Sequence, residues 1–332
     1  MHTRYTRFLR AAPAALLLAL LALAVALIPA LSALADSLQA KAVEFADVVK
    51  SGRTHLMDAT PVTLGQEFSG YAAQVRKGAE RVESVLPGLE ELALGGTAVG
   101  TGINAPEGFA ERTIALMAER TGYPLREADD HFEAQAAKDA VVMASGALKT
   151  VAVSLFKIAN DIRFLGSGPT SGLSEVRIPD LQPGSSIMPG KVNPVMSEML
   201  MQVAAQVIGN DATVTWSGAN GNFELNVMMP VMTHALLQSI EILANGAETF
   251  RERCVEGLEA NAERTRELVE RNAIIVTALN PHIGYDAGAR IAKESVKTGR
   301  SVRELVLEQG LMEPDELDAV LDIKKMTEGG VM

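Results

Sequence analysis

The sequence predicts an all-α protein: a bundle of long helices followed by a small helical C-terminal domain. Hydrophobic residues make up 48% of the 332 residues but aromatics only 4%, so the core must be built from Ala, Leu, Val, Ile and Met, which favours helices over strands. Long alanine-rich stretches of helical texture recur between short glycine- and proline-containing breaks. No strand-like alternation of any length is evident. The length accommodates a large core in about two domains. Lys and Arg total 30 against 41 Asp and Glu, a net charge of −11. That balance argues against nucleic acid as a partner, because a nucleic-acid groove needs a basic stripe. Small-molecule chemistry is expected instead. The single cysteine, Cys254, excludes an intrachain disulfide and a Cys-based metal site.

Taken in order, residues 11–35 carry no charge, and Arg4, Arg7 and Arg10 stand in front of them. The run is long enough to span a bilayer, and Ala33-Leu34-Ala35 has the pattern of a signal-peptidase site. A helix that is apolar all round is also what the inside of a large bundle requires. Because the run continues through "LIPALSALADSLQAKAVEFADVVK" without a turn signal, a core helix of a cytoplasmic protein is expected, and membrane association is not.

Next comes "GRTHLMDATPVTLGQEFSG", where Thr54 and His55 stand between Gly52 and a helix-like run holding Gln66 and Glu67. An imidazole in a polar loop titrates near neutrality and can shuttle a proton, which singles out His55. His2, His131, His234 and His282 are read as structural or surface residues. "GGTAVGTGINAP" either brings Thr97, Thr101 and Asn104 to a ligand or closes a tight interhelix turn. "GSSIMPGKVNP", residues 184–194, is a loop that neither helix nor strand can cross comfortably. It is not a phosphate-binding P-loop, since five residues separate Gly184 from Gly190 and Val192 follows Lys191. It offers hydroxyls at Ser185 and Ser186, a cation at Lys191, a carboxamide at Asn193 and free backbone amides, which suit a carboxylate or an oxyanion.

The helix expected from Met196 is apolar on most sides and so should be surrounded by other helices or other subunits. Asn222, Glu224 and Asn226 in "GNFELNV" are read as a cap for the helix that follows. Along that helix Leu236, Ile240, Leu243, Ala247, Phe250, Cys254 and Leu258 draw one stripe. From about Asn261 the helices become shorter and more charged. Ser301 and Glu304 have capping-box spacing, and Pro314 restarts a helix in its first turn. The expected organisation is an apolar segment over 1–26, a central helical bundle over 27–263 and a C-terminal helical domain over 264–332.

"GRTHLMDATPVTLGQEFSGY", "GGTAVGTGIN" and "GSSIMPGKVNP" followed by Glu198 resemble, in that order and at similar spacing, the class II fumarase and aspartase superfamily. "GNFELNV" and "IVTALNPHIGYD" look like fumarase, while "NPVMSE" stands nearer the aspartase side. The resemblance implies a fumarate hydratase of the tricarboxylic acid cycle, working by general acid/base catalysis in a cytoplasmic homotetramer, with each site built from three subunits. It implies no metal and no organic cofactor.

Carried over by residue, the resemblance makes Ser185 the catalytic base in a mobile loop, and Ser186, Lys191 and Asn193 the binders of the dicarboxylate substrate, fumarate or malate. Thr54 contacts substrate, His55 is the acid/base residue near the leaving hydroxyl, and Glu198 orients His55 and charges it. The family's N-terminal domain and "SSND" signature do not occur in these residues, so an N-terminally truncated member is expected. Two other readings stand beside the hydratase. One is an aspartate ammonia-lyase, told apart by whether ammonia or water adds to fumarate. The other is a helical assembly protein without a working pocket.

Overall fold

The computed structural model describes residues 12–332. Arg4, Arg7, Arg10 and the first residue of the apolar run lie outside that range. The chain divides into two compact units, each discontinuous in sequence.

The first unit takes the described part of Met1–Asp36, together with Ala73–Asp161 and Asn193–Cys254. The apolar run begins it as helix α1 (Ala12–Ala22), continues through a π-helical turn over Leu23–Leu27, and enters α2 (Ile28–Glu44). Ala19, Leu20, Leu23, Leu27, Leu31 and Leu34 are buried, whereas Leu18 and Val25 are 53% and 68% exposed. The run is therefore a one-sided core helix here, packed on the later helix Met229–Phe250. The stretch Leu17–Glu44 and the helix Asp139–Leu165 are each long and apolar enough to cross a membrane, and both bury part of their surface inside this chain.

The long helices of this unit are α3 (Leu64–Glu83, from Ala73 onward), α4 (Phe109–Thr121), α5 (Asp139–Leu165, as far as Asp161), α6 (Val195–Ala219) and α7 (Met229–Phe250). The predicted stripe on α7 and its continuation is buried at every position from Leu236 to Leu258. Helix α6 buries Leu200, Ala204, Val207 and Val214, but Ile208 and Trp216 are 42% and 71% exposed. One copy of the chain thus covers one face of α6. A polar layer ties three helices together: Asp211 accepts from Ser145 Oγ at 2.8 Å and from Lys149 Nζ at 2.6 Å, and Asn210 donates to Ser239 Oγ at 3.0 Å. Asn226, fully buried, accepts from the Met228 amide at 2.8 Å and donates to the carbonyl of Ser217 at 3.1 Å. The cap position of α7 is Met228 and no side chain caps it, so Asn226 braces the turn before the helix and does not fill the capping role expected of it.

Burial pushes the Cys254 thiol up to about 12. A thiol reagent at pH 8 should therefore leave Cys254 unmodified in the folded protein and titrate it fully in denaturant, since the thiolate is the reactive form. Rapid labelling of the native chain would contradict this burial.

The second unit takes Ser37–Ala72, Ile162–Val192 and Val255–Met332. It contains the structure's clearest departure from the sequence expectation. Residues 49–63, where no strand is legible, form an antiparallel hairpin of β1 (Val49–Thr54) and β2 (Met57–Thr63). The register shifts between Ser51 and Arg53, so that Ala59 and Thr60 both stand opposite Gly52. Such a bulge resets the in–out alternation, and this hides the strand from a period-two reading. A Cβ on Gly52 would lie 2.6 Å from the Thr60 carbonyl oxygen, so glycine is required there. Asn272 clamps the bulge from the C-terminal region, donating to Ala59 O at 2.8 Å and to Ser51 Oγ at 3.1 Å.

Beyond Asn261 come the short helices α8 (Ala262–Glu270), α9 (Tyr285–Thr298), α10 (Val302–Glu308) and α11 (Pro314–Val320). Ile275, Leu279, Ile291, Leu305, Val306 and Leu317 are buried together in one cluster. The Ser301–Glu304 capping box forms in both directions, and Pro314 opens α11. Ser301→Ala should cost about 1 kcal/mol, measured by thermal melting of the whole chain.

Candidate active site

The hairpin leads directly into α3 because Thr63 and Gln66 form a reciprocal cap. The Gln66 amide donates to Thr63 Oγ1, and the Thr63 amide donates to Gln66 Oε1, each at 3.0 Å. At the other end of the hairpin, Thr54 pairs with Met57, which leaves His55 and Leu56 as a two-residue turn. Their φ angles are 56° and 60°. A turn of this twist suits adjacent antiparallel strands but normally carries Asn or Gly. For histidine and leucine the conformation costs about 1–3 kcal/mol each, and it persists only where the surroundings enforce it. Thr54 and His55 are exposed, and Leu56 is 77% exposed.

Below the turn the hairpin carries a buried ion network. Arg53 forks onto Glu175, with Nη1 and Nη2 donating to the two carboxylate oxygens at 2.9 Å each. The Lys50 ammonium lies 3.2 Å from Glu67 and 3.4 Å from Glu175. The Lys50 and Glu175 side chains are 2% and 0% exposed. Burial opposes the Arg53 charge, but Glu175 outweighs it and holds the guanidinium above its ordinary pKa. Sequence reasoning missed Lys50, Arg53 and Glu175. Glu175 stands 122 residues from Arg53, and no spacing rule pairs residues that far apart.

The serine loop has a definite shape. Gly184 and Pro189 form a bridge, the Ser185 amide donates to the Lys191 carbonyl at 3.0 Å, and the Lys191 amide donates to the Met188 carbonyl at 3.2 Å. Gly184, at φ 101°, lets the chain double back, and a Cβ there would lie 3.1 Å from the Lys191 oxygen. Within this turn Ser185 Oγ accepts from the amides of Ile187 at 3.2 Å and Met188 at 3.3 Å. Two backbone dipoles therefore point at the hydroxyl oxygen, the arrangement that stabilises charge there. Ser186 and Lys191 are exposed on the same loop, as is Ile187 at 84%.

Glu198 lies in the first turn of α6, its amide donating to the Pro194 carbonyl at 3.1 Å, and Asn193 immediately precedes that helix. A carboxylate in a first helical turn meets the positive end of the helix. Asn193 and Glu198 belong to the first unit, whereas Thr54, His55, Ser185, Ser186 and Lys191 belong to the second. Among the described residues no group of three or more His, Cys, Asp or Glu is gathered to hold a metal ion. A cavity of about 370 Å³ in the first unit is lined by Leu92, Thr97, Gln135, Lys138, Met232 and Leu236 among others, none of them a candidate catalytic residue.

The lyase family profile matches residues 11–209, and that of the fumarase C C-terminus matches residues 275–328. The chain is 57% identical over 305 residues to a class II fumarate hydratase of Mycobacterium tuberculosis, covering 90% of this chain and 64% of that one. It is 55% identical over 306 residues to that of Corynebacterium glutamicum, covering 90% and 65%. Among solved structures, a class II fumarase from Schistosoma mansoni superposes with a TM-score of 0.91 at 37% identity, covering 95% of this chain and 69% of that one. A fumarate lyase:delta crystallin from Brucella melitensis, bound to cobalt, superposes with a TM-score of 0.89 at 44% identity, covering 96% and 68%. The chain belongs to the class II fumarase family. It spans about two-thirds of the length of these relatives, 64% in the first case.

Proposed function

We propose that this chain supplies the catalytic loop and acid/base hairpin of a fumarate hydratase, interconverting fumarate and malate. The observation that carries the reading is the Ser185 hydroxyl, held in the signature loop under two backbone amides. A serine is a poor base unless its oxyanion is stabilised. The Ile187 and Met188 amides supply that stabilisation, and Lys191 adds a cation to the same loop. In the malate-to-fumarate direction Ser185 takes the proton from the carbon next to a carboxylate. The resulting aci-carboxylate dianion is met by Lys191, Ser186 and Asn193. The C–O bond on the neighbouring carbon then breaks, and His55, charged and oriented by Glu198, protonates the departing hydroxide to water. Thr54 contacts the substrate beside His55.

The reading includes a cytoplasmic homotetramer, in which segments of three copies meet at each site. The half-exposed apolar face of α6 supports it, since a lone copy leaves Ile208 and Trp216 in water. Sedimentation of the purified chain should give a tetramer, and a stable, folded monomer would refute that assembly.

The test of function is addition of water to fumarate by the purified chain, followed by loss of fumarate absorbance. Lys191→Ala should both raise KM and lower kcat, because the cation binds the ground-state carboxylate and the developing dianion alike. Addition of ammonia in place of water would establish the ammonia-lyase reading instead. The similarity of "NPVMSE" to aspartases is what keeps that reading in play.

A further inference from the structure

We propose that the Arg53–Glu175 fork, with the Lys50–Glu67 pair beside it, is the positioning device for His55 and Thr54. This rests on the hydratase reading of the same hairpin. The tip cannot hold itself: His55 and Leu56 are exposed and both lie in the left-handed region. Whatever fixes the imidazole must act from below. Arg53, immediately before Thr54, is the last side chain on β1 with a buried anchor, and the anchor is itself hydrogen-bonded in place. The Glu175 side chain is fully buried, its amide donates to the Leu165 carbonyl at 2.8 Å, and its carbonyl accepts from the Asn261 amide at 2.9 Å.

The charges balance, two cations against two carboxylates, so no buried charge is left uncompensated. A buried ion network of this kind adds little net stability over apolar residues of the same volume. What apolar residues cannot reproduce is the planar two-point grip of guanidinium on carboxylate, which sets direction as well as distance. Lys50, wedged between Glu67 on α3 and Glu175, aligns the carboxylate for that grip and links the hairpin to the helix it enters.

The test uses the full chain and two variants. Arg53→Lys keeps the charge but loses the fork. The pair Arg53→Met with Glu175→Leu removes both buried charges together and leaves Lys50 paired with Glu67. Amide exchange at residues 54–57, melting temperature, and kcat and KM for fumarate are measured on each. Exchange at the tip should quicken about tenfold or more in both variants, kcat should fall about 100-fold with KM within about threefold, and the double variant should melt within a few degrees of the parent. Unchanged tip exchange overturns the proposal. So does recovery of kcat in the double variant, which would mean the pair only stabilises the fold. If the parent chain adds no water to fumarate, the hydratase reading fails by itself, and tip exchange still decides whether the fork positions the hairpin.

Discussion

Ser185→Ala is expected to lower turnover of fumarate about 10²–10⁴-fold while leaving KM nearly unchanged. The asymmetry follows from where the hydroxyl acts. In the proposed role its oxygen takes the proton only as the transition state forms, so the ground-state complex should barely sense its loss. The substitution should not collapse the loop, because the bonds that close it, Ser185 amide to Lys191 carbonyl and Lys191 amide to Met188 carbonyl, are made by backbone. Ser186→Ala, removing from the same loop the hydroxyl proposed to bind substrate, should act mainly on KM. Steady-state kinetics on the two variants separate the roles. Equal losses from both, or undiminished turnover in Ser185→Ala, would remove Ser185 as the base.

Glu175→Ala should be the most destabilising single change in the second unit, at about 3–5 kcal/mol. It leaves two cations, Lys50 and Arg53, facing one remaining carboxylate, Glu67, whose side chain is 27% exposed and partly solvated. Lys50 has nowhere to go: its side chain is 2% exposed, and its one other acceptor is the Ser51 carbonyl at 3.2 Å. An ammonium held away from water without a full counter-charge loses several kcal/mol of hydration. Denaturant or thermal midpoints measure the loss. A change below about 1 kcal/mol would mean that water reaches the network and the charges are screened.

Much of the molecule was legible in the chain itself. The aliphatic, aromatic-poor composition selected helices. The three-and-four spacing from Leu236 to Leu258 named a core face that is buried throughout. Ser301, Glu304 and Pro314 marked helix starts where they occur. Signals of this kind are local: a cap, a stripe or a glycine turn is decided by residues within a turn or two of one another, so sequence order carries the information. The loop at residues 184–194 was readable for the same reason, and the run of residues that resembles a known family also shapes the turn presenting Ser185.

The tertiary structure alone decided the rest. The hairpin at residues 49–63 is held in register by a bulge and by Asn272, more than two hundred residues later in the chain. The apolar start of the chain satisfies the tests for a membrane span and for a bundle core equally, since hydropathy does not specify which solvent is excluded. Packing on α7 shows that one face of it is covered by protein. The fork that grips the His55 hairpin just below its turn joins residues whose proximity no period or motif encodes. Partners in a buried ion network are selected by three-dimensional closure, because each charge tolerates burial only where the fold brings it a counter-charge.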